Sequence, residues 1–190
     1  NKGEMHGFQL WANLPSNQKM TAPRYQDIKS KEIKSLFDDD GTIIKVIAGN
    51  YRGYNGPVDG IAAEPEYLDI YIPPLKFKKF PFDTRRQGFA YIFEGEGNFH
   101  NASKPVGVKV EKEFQGQEIE LRDLSGNRTL VVFDSGDEVA VQAGENGVRF
   151  LLISGAPIKE PVAWHGPIVM NSQEELRQAF NELNNGTFIK

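Results

Sequence analysis

Histidine is the side chain best suited to metal binding or proton transfer, and this chain has few of them. The sequence contains three, His6, His100 and His165. Imidazole is the commonest transition-metal ligand in proteins and a frequent general base near neutral pH. None of the three stands in an H-x-H or H-x-E pattern. The histidines alone therefore predict no metal site, and no Ser/His/Asp arrangement for nucleophilic catalysis can be assembled around them.

Paired carboxylates are the second candidate for chemistry. Glu94 and Glu96 stand two residues apart, and such a pair can share the acid and base roles of a reaction. The surrounding sequence favours another interpretation, because Glu94-Gly95-Glu96-Gly97 is typical of a hairpin turn with solvated side chains. We therefore predict no catalytic residue from this pair.

Composition argues against several functional classes. The absence of cysteine excludes disulfide frameworks, iron–sulfur clusters and thiolate zinc sites. A formal net charge of −4 argues against a nucleic-acid partner, although five basic residues and three phenylalanines are interspersed between Lys76 and Arg86. No apolar run approaches the ~20 residues of a membrane-spanning helix. The glycine-rich stretch 49–60 lacks phosphate-loop spacing.

The elements that must position these residues are mostly short strands. Period-two alternation predicts a strand from Phe8 to Leu14, which Pro15 ends. Further strands follow at regular intervals, bounded by Gly, Pro and Asn. They are predicted at 42–48, 67–72, 89–93, 130–133, 138–142 and 148–154. Many short strands with such turn signals are typical of a β-sandwich or barrel.

One helix is predicted, close to the C-terminal end of the sequence. Ser172 and Glu175 match a capping box, and four apolar residues between Leu176 and Leu183 repeat at helical spacing. Gly186 stands where a helix stop is expected. The charged stretch 29–41 is predicted to be a solvated linker that ends in a turn.

Two longer segments resemble the pirin family. The first runs from His6 to Gln26 and begins HGFQLWANLP; the second, at 160–171, is EPVAWHGPIVMN. The resemblance implies two cupin barrels, with the metal site in an N-terminal barrel upstream of His6. It also implies four parts, namely 1–27 as the remnant of the N-terminal cupin, 28–40 as a linker, 41–160 as the C-terminal cupin barrel and 161–190 as a C-terminal segment with the helix. Since the chain begins with Asn1, we expect that it does not start at a translation start.

The predicted fold class is mostly β, a cupin jelly-roll barrel with a C-terminal helix, preceded by the strand remnant of a first cupin. Residues 91–97 resemble the strand and turn that end the first cupin motif, and 134–137 resemble the start of the second. Cupin enzymes hold a divalent metal with H-x-H and Glu on the first motif and His on the second. The residues at those positions here are Phe82 and Thr84, or Pro81 and Asp83, followed by Gly88 and Gly147. The resemblance thus implies a metal-free barrel with no cofactor in this chain.

Two functions follow from the resemblance. Bacterial pirins are associated with quercetin 2,3-dioxygenase activity, which would reside in the N-terminal barrel with Fe(II) or another divalent metal. Eukaryotic pirins act as iron-dependent transcriptional co-regulators, so a non-catalytic protein-binding module is the alternative. The expected partners are the missing N-terminal cupin domain, a second copy of the chain or another protein, with neither nucleic acid nor membrane. The expected location is cytoplasmic.

Four residues are candidates for an interdomain face or a pocket: His6, Trp11, Trp164 and His165. His6 aligns with the non-ligand histidine of the first segment, so Glu4 and His6 are not a metal-binding pair. Trp11 lies on the polar side of its predicted strand, which favours contact with another element. His165 either lines a pocket or binds backbone where the chain leaves the barrel for the helix, and we favour the second role.

Overall fold

The structure is a computed structural model that describes residues 7–100 and 125–189. The chain divides into two compact units. The larger unit comprises residues 26–157, and the smaller combines residues 1–25 with residues 158–190. Each unit has a hydrophobic core of its own.

Antiparallel strands make up most of the larger unit. Their bounds are β1 Lys34–Phe37, β2 Ile43–Ala48, β3 Asn50–Tyr51, β4 Tyr54–Asn55, β5 Glu66–Ile72, β6 Phe77–Pro81, β7 Gln87–His100, β8 Ser125–Gly126, β9 Thr129–Val132 and β10 Glu138–Gly155. The main sheet runs in the order β1, β2, β5, β10, β7, β8, with β6 paired to β10 and β9 paired to β7. The short strands β3 and β4 form a separate hairpin.

The core lies on one face of this sheet, because alternate residues of each strand point inward. On β2 and β5 the alternation is strict, so Ile44, Val46, Leu68, Ile70 and Ile72 are fully buried. Aromatic rings from other strands complete the core with edge-to-face contacts. The predicted strands at 42–48 and 67–72 are therefore confirmed within one residue.

The predicted hairpin turn at 94–97 is wrong, because β7 continues straight through it. On either side, β7 pairs with β10 across a register shift between Ala143 and Val148. Gly95 and Gly147 both have positive φ, of 69° and 77°. Glycines in this conformation absorb extra residues as a bulge, so the chain changes register here instead of reversing direction.

The predicted strands 138–142 and 148–154 form one strand, β10, of 18 residues. It pairs with β5, β6 and β7. The glycines between the two predicted strands are typical of a turn, but in the structure they accommodate the irregularity opposite β7.

The charged stretch 29–41 is more structured than a linker. It contains a 3-10 turn at Ser30–Glu32 and the strand β1, which pairs with β2. Asp38 and Asp40, in the turn after β1, each lie 2.8 Å from Lys78 Nζ on β6. These carboxylates therefore bind a side chain of β6, which is not adjacent to β1 in the sheet, and part of the predicted linker belongs to the sheet. The domain boundaries as a whole stay a prediction.

In the smaller unit, a β-hairpin precedes the helix α1, Gln173–Asn184. The hairpin consists of β11, Ala163–His165, and β12, Ile168–Met170. The predicted capping box is confirmed, since the Glu175 amide donates to Ser172 Oγ and the Ser172 amide donates to Glu175 Oε2. No helix in the described part of the chain has the length and apolar character needed to cross a membrane.

Residues 7–15 have no regular secondary structure, so the predicted strand from Phe8 to Leu14 is wrong. Phe8, Leu10 and Trp11 are 42%, 44% and 66% exposed, which places apolar side chains of both parities in solvent. A strand is stabilised by a hydrogen-bonded neighbour, and no described strand pairs with this segment. Alternation alone was an insufficient signal.

Candidate functional site

Close packing fills two of the positions at which a cupin would carry metal ligands on the first motif, Phe82 and Gly88. The ring of Phe82 lies against Gly88, near the start of β7. A Cβ added to Gly88 would stand 2.4 Å from Phe82 Cζ and 2.8 Å from the carbonyl oxygen of Ile153. Since protein interiors are close-packed, these contacts leave no room for a carboxylate at Gly88.

Two further ligand positions, Gly147 and Asp83, have other structural roles. Gly147 has positive φ, and a Cβ there would stand 2.9 Å from the carbonyl oxygen of Ile72. Asp83 is engaged by Arg85 at 2.8 and 3.0 Å, which lowers the pKa of Asp83 to about 2. Among the described residues, no group of three or more His, Asp or Glu side chains is arranged to hold a metal ion. These residues do not fit the divalent metal of cupin enzymes.

A cavity of about 230 Å³ lies beside the Phe82–Gly88 contact. Three phenylalanines line it: Phe82 and Phe133 meet edge to face at 6.0 Å between ring centroids, and Phe99 and Phe133 lie at 6.3 Å. The Phe82 amide donates to the carbonyl of Asp137, which ties the segment after β6 to the segment before β10. We call this space the barrel cavity.

The rim of the barrel cavity is acidic. Asp134, Asp137, Glu138 and His100 belong to its lining. Glu138 Oε1 lies 2.7 Å from Lys79 Nζ, so a neighbouring cation offsets one of the three carboxylates. The exposed ring of His100 contacts Phe77 edge to face at 5.8 Å. An apolar aromatic floor under a negatively charged rim suits an apolar ligand with a positive end better than a metal ion.

Most basic side chains of the cluster between Lys76 and Arg86 are bonded within the larger unit. Lys78 binds two aspartates and Lys79 binds Glu138. Arg85 binds Asp83, while Arg86 donates to Ser154 Oγ at 3.0 Å. Three of the five positive charges are thus paired with carboxylates, and Arg86 is bonded to a neutral hydroxyl.

In the smaller unit, Glu160 joins segments from both parts of the sequence. Its Oε2 accepts hydrogen bonds from the Ser16 amide at 2.8 Å and from Asn171 Nδ2 at 2.7 Å. Its Oε1 accepts from Ser16 Oγ at 3.2 Å. The hydrogen bond from the Ser16 amide is the main reason that the pKa of Glu160 is lowered. The two segments that resemble pirins therefore meet at this carboxylate.

A second cavity, of about 160 Å³, lies in the smaller unit beside α1. Met20, Met170 and Phe188 supply apolar lining, and Glu175 and Glu182 supply carboxylates. Ser16, whose hydroxyl donates to Glu160, belongs to the same lining.

The structure places three of the four predicted site residues, and His6 lies outside the described residues. Trp11 and Trp164 are 66% and 67% exposed. Trp164 Nε1 donates to the carbonyl of Gly166 at 2.7 Å, within the β11–β12 hairpin. The exposed ring of His165 meets Phe180 of α1 edge to face at 5.4 Å. None of these three lines either described cavity, and their functional role stays a prediction.

Sequence reasoning missed the barrel cavity. Phe80 and Phe82 were interpreted as part of a basic and aromatic cluster, but period-two alternation from the buried Phe80 places Phe82 on the inner side as well. That parity was visible in the sequence. The partner Phe99 lies on β7 and Phe133 directly follows β9, and only the fold brings the three rings together.

Comparisons with known proteins agree with these observations. A sequence model of the Pirin C-terminal cupin domain matches residues 67–189. The pirin-like protein of Caulobacter vibrioides is 36% identical over 188 residues, which are 98% of this chain and 60% of that protein. Pirin of Homo sapiens is 34% identical over 182 residues, 95% of this chain and 56% of that protein. The chain thus spans about 60% of the length of the relatives it matches.

A crystal structure of quercetin 2,3-dioxygenase from Acinetobacter baumannii has the same fold. It superimposes with a TM-score of 0.77 at 26% sequence identity and covers 94% of this chain and 55% of that one. This similarity confirms the predicted fold class, a mostly β cupin barrel with one C-terminal helix. Because the domain model covers well over half of the residues, we conclude that this chain belongs to the pirin family.

Proposed function

We propose that this chain is the metal-free cupin module of a larger pirin, whose metal-dependent chemistry takes place outside these residues. The observation that carries the proposal is the contact between Phe82 and Gly88, which fills two ligand positions of the barrel. Gly147 adds a third position at which backbone conformation and close contact oppose a histidine.

The activity that we propose for the whole protein is oxidative cleavage of a flavonol of the quercetin type. The support is the similarity to the structure named quercetin 2,3-dioxygenase, of which this chain matches 55%. In that arrangement the residues of this chain support and shape a site in the rest of the protein. Fe(II) or another divalent metal would supply the oxygen chemistry there.

The test measures metal content and quercetin turnover of the 190-residue chain itself. The chain is incubated with Fe(II), Mn(II), Ni(II) or Cu(II), freed of excess ion and analysed by inductively coupled plasma mass spectrometry. We expect metal content far below one ion per chain and no loss of quercetin absorbance. The quercetin 2,3-dioxygenase of Acinetobacter baumannii, treated in parallel, is the positive control.

A stoichiometry of about one metal per chain together with quercetin consumption would overturn the proposal. In that case His100 and His165 would be the first candidate ligands, since they are the described histidines. Metal uptake that persists in a triple variant, H6A with H100A and H165A, would exclude the histidines and indicate adventitious binding by surface carboxylates.

Exposed apolar side chains of the smaller unit favour a second function, in which the chain binds a protein partner without catalysis. Trp11, Val162 and Trp164 are each about two-thirds exposed. Large apolar side chains at a surface mark contact sites when they are grouped, and tryptophan is enriched where binding energy is concentrated. The partner that we propose is the rest of a larger pirin or a second copy of this chain.

Light scattering and tryptophan fluorescence together test this second function. Because both tryptophans are exposed, burial of either one in an interface would shift the emission to shorter wavelength. For a second copy, we expect a concentration-dependent dimer with that shift, weakened by Trp164→Ser. Phe37→Ser, which changes a comparably exposed side chain of the larger unit, is the matched control. A monomer with unchanged emission at all concentrations would contradict self-association.

A further inference from the structure

The barrel cavity is the feature that the proposed function leaves unused. We propose that it binds a small cationic aromatic molecule with a single ring, of the arylalkylamine class. The inference concerns this chain alone, so it holds or fails independently of where a larger pirin carries out its oxygen chemistry.

The volume of the cavity sets the size of the ligand. At about 230 Å³ it exceeds the ~150 Å³ apolar cavity that holds benzene in an engineered protein. It lies below the ~300–1,000 Å³ typical of pockets for drug-sized ligands. One ring with a short substituent fits this range, whereas a three-ring flavonol exceeds it.

The side chains that line the cavity favour an aromatic ring in the ligand. The ring centroid of Phe133 lies 6.0 Å from that of Phe82 and 6.3 Å from that of Phe99, which is the spacing of favourable aromatic pairs. Val139, 5% exposed, adds an aliphatic surface. A further aromatic ring can adopt the same edge and face contacts in this cavity.

The rim sets the charge of the substituent. Asp134, Asp137 and Glu138 line the opening, and among the described residues Lys79 is the cation bonded to this group, through Glu138. A negatively charged opening attracts a positively charged ligand and repels a negatively charged one. A protonated amine separated from the ring by two carbons would reach the carboxylates, while an aryl carboxylate of the same size would be repelled.

The position of the cavity explains how a cupin barrel acquires this specificity. Phe82 occupies a predicted metal-ligand position and contributes a ring to the cavity wall. Where imidazole would present a lone pair to a metal, phenylalanine presents a π face and a ring edge. The site is thereby changed from one that coordinates an ion to one that packs against a ring.

Isothermal titration calorimetry with two matched probes tests the proposal. Tyramine carries the amine, and 4-hydroxyphenylacetate places a carboxylate on the same phenol ring. We expect tyramine to bind the 190-residue chain saturably with one site, 4-hydroxyphenylacetate to show no binding, and quercetin not to compete. The affinity for tyramine should fall as salt is added, because the rim is exposed to solvent. No saturable tyramine binding, or equal binding of the two probes, would overturn the proposal.

Two kinds of variant locate the binding site. Asp134→Asn and Asp137→Asn should each weaken tyramine about two- to fivefold, as expected for solvent-exposed charge pairs. Asp39→Asn makes the same change at an exposed turn outside the cavity lining and should leave the affinity unchanged. Gly136→Leu should abolish binding by filling the opening.

The Gly136→Leu variant is chosen because it should fold. A Cβ at Gly136 meets nothing nearer than the Glu138 carbonyl oxygen at 3.9 Å, and Gly136 does not have positive φ. Its thermal unfolding should therefore match that of the unchanged chain. Tyramine binding that survives both Gly136→Leu and the aspartate variants would place the ligand elsewhere and overturn the proposal.

Discussion

The Glu160 carboxylate accepts hydrogen bonds from the amide and hydroxyl of Ser16, a residue 144 positions earlier in the chain. The whole larger unit lies between them in sequence. The smaller unit can therefore close only after both ends of the chain have been made. Asn171 Nδ2 donates to the same carboxylate, so Glu160 connects the segment around Ser16 to the residue that follows β12.

Removing the Glu160 carboxylate should make the segment around Ser16 more accessible to proteases. In Glu160→Ala, Ser16 loses its acceptor, and trypsin should cleave faster after Lys19 and Arg24. Acid should have a similar effect on the unchanged chain, because the lowered pKa of Glu160 means that its contribution is present at neutral pH and lost on protonation; pepsin, which is active in acid, replaces trypsin for that measurement. Digestion followed by mass spectrometry measures the rate. Glu145→Ala, at an exposed position of the larger unit, is the control, and equal digestion of both variants would contradict the prediction.

Replacing Lys78 should lower the free energy of unfolding more than replacing its neighbour Lys79. The Lys78 side chain is 17% exposed and bridges Asp38 and Asp40, whereas the Lys79 side chain is 56% exposed and binds one carboxylate. Lys78→Met should cost about 1–2 kcal/mol, because it leaves two carboxylates close together without their cation. Lys79→Met should cost less than about 0.5 kcal/mol. Urea unfolding measures both, and equal losses would refute the difference.

The same network predicts an acid-sensitive component of stability. The hydrogen bond from Lys78 lowers the pKa of Asp40 from 3.8 to about 2. A carboxyl with a lowered folded-state pKa stabilises fully above its unfolded value, and the contribution disappears as pH falls through the folded value. Stability should therefore decline between about pH 4 and pH 2, and this part of the decline should be smaller in Asp40→Asn. Denaturant midpoints measured across that range provide the test.

Gly95 should not tolerate any side chain. Its φ is +69°, and a Cβ would stand 2.1 Å from the carbonyl oxygen of Gly147. Gly95→Ala should destabilise the barrel by about 2–4 kcal/mol, since backbone strain adds to a clash with another backbone. Gly126→Ala, where a Cβ meets nothing within 4 Å, is the matched control. A thermal melt of Gly95→Ala like that of Gly126→Ala would show that the bulge can relax.

Arg149 should stabilise the sheet because two of its guanidinium nitrogens bind the same carboxylate. It binds Asp69 with Nε at 2.9 Å and a second nitrogen at 2.6 Å, and its guanidinium lies 5.0 Å from the ring of Phe93. Arg149→Met should cost about 1–3 kcal/mol, because Asp69 is mostly buried and loses a bidentate partner. The arginine Arg85, with an 87% exposed side chain, is the control, and Arg85→Met should leave urea unfolding unchanged.

Alternation predicted the strands that have a buried face and a regular neighbour. β2 and β5 match because both conditions hold along their whole length. The segment from Phe8 alternates equally well but lacks a pairing strand among the described residues, and pairing is not encoded in a single segment. Gly95 was predicted in a turn because glycine favours both turns and bulges, and only the opposing strand decides between them.

The candidate sites were less predictable than the fold. Phe82 could be placed inside from parity, but its contact with Gly88 joins residues on two different strands or their ends. Glu160 lies in a segment that could be recognised in the sequence. Its contact with Ser16, however, joins residues that are far apart in the chain and could not be predicted from either segment alone. Both sites rest on contacts that local periodicity does not specify.

The strand β10 is shared by three neighbours, β5, β6 and β7. Division of the protein just before Glu138 would therefore give one fragment that lacks the common partner of those strands and a second that holds it. Each fragment alone would expose strand edges without a hydrogen-bonded partner. Mixing the two fragments would restore the strand pairing. The 137/138 junction is accordingly a place to cut this barrel into a two-part reporter whose signal depends on reassembly.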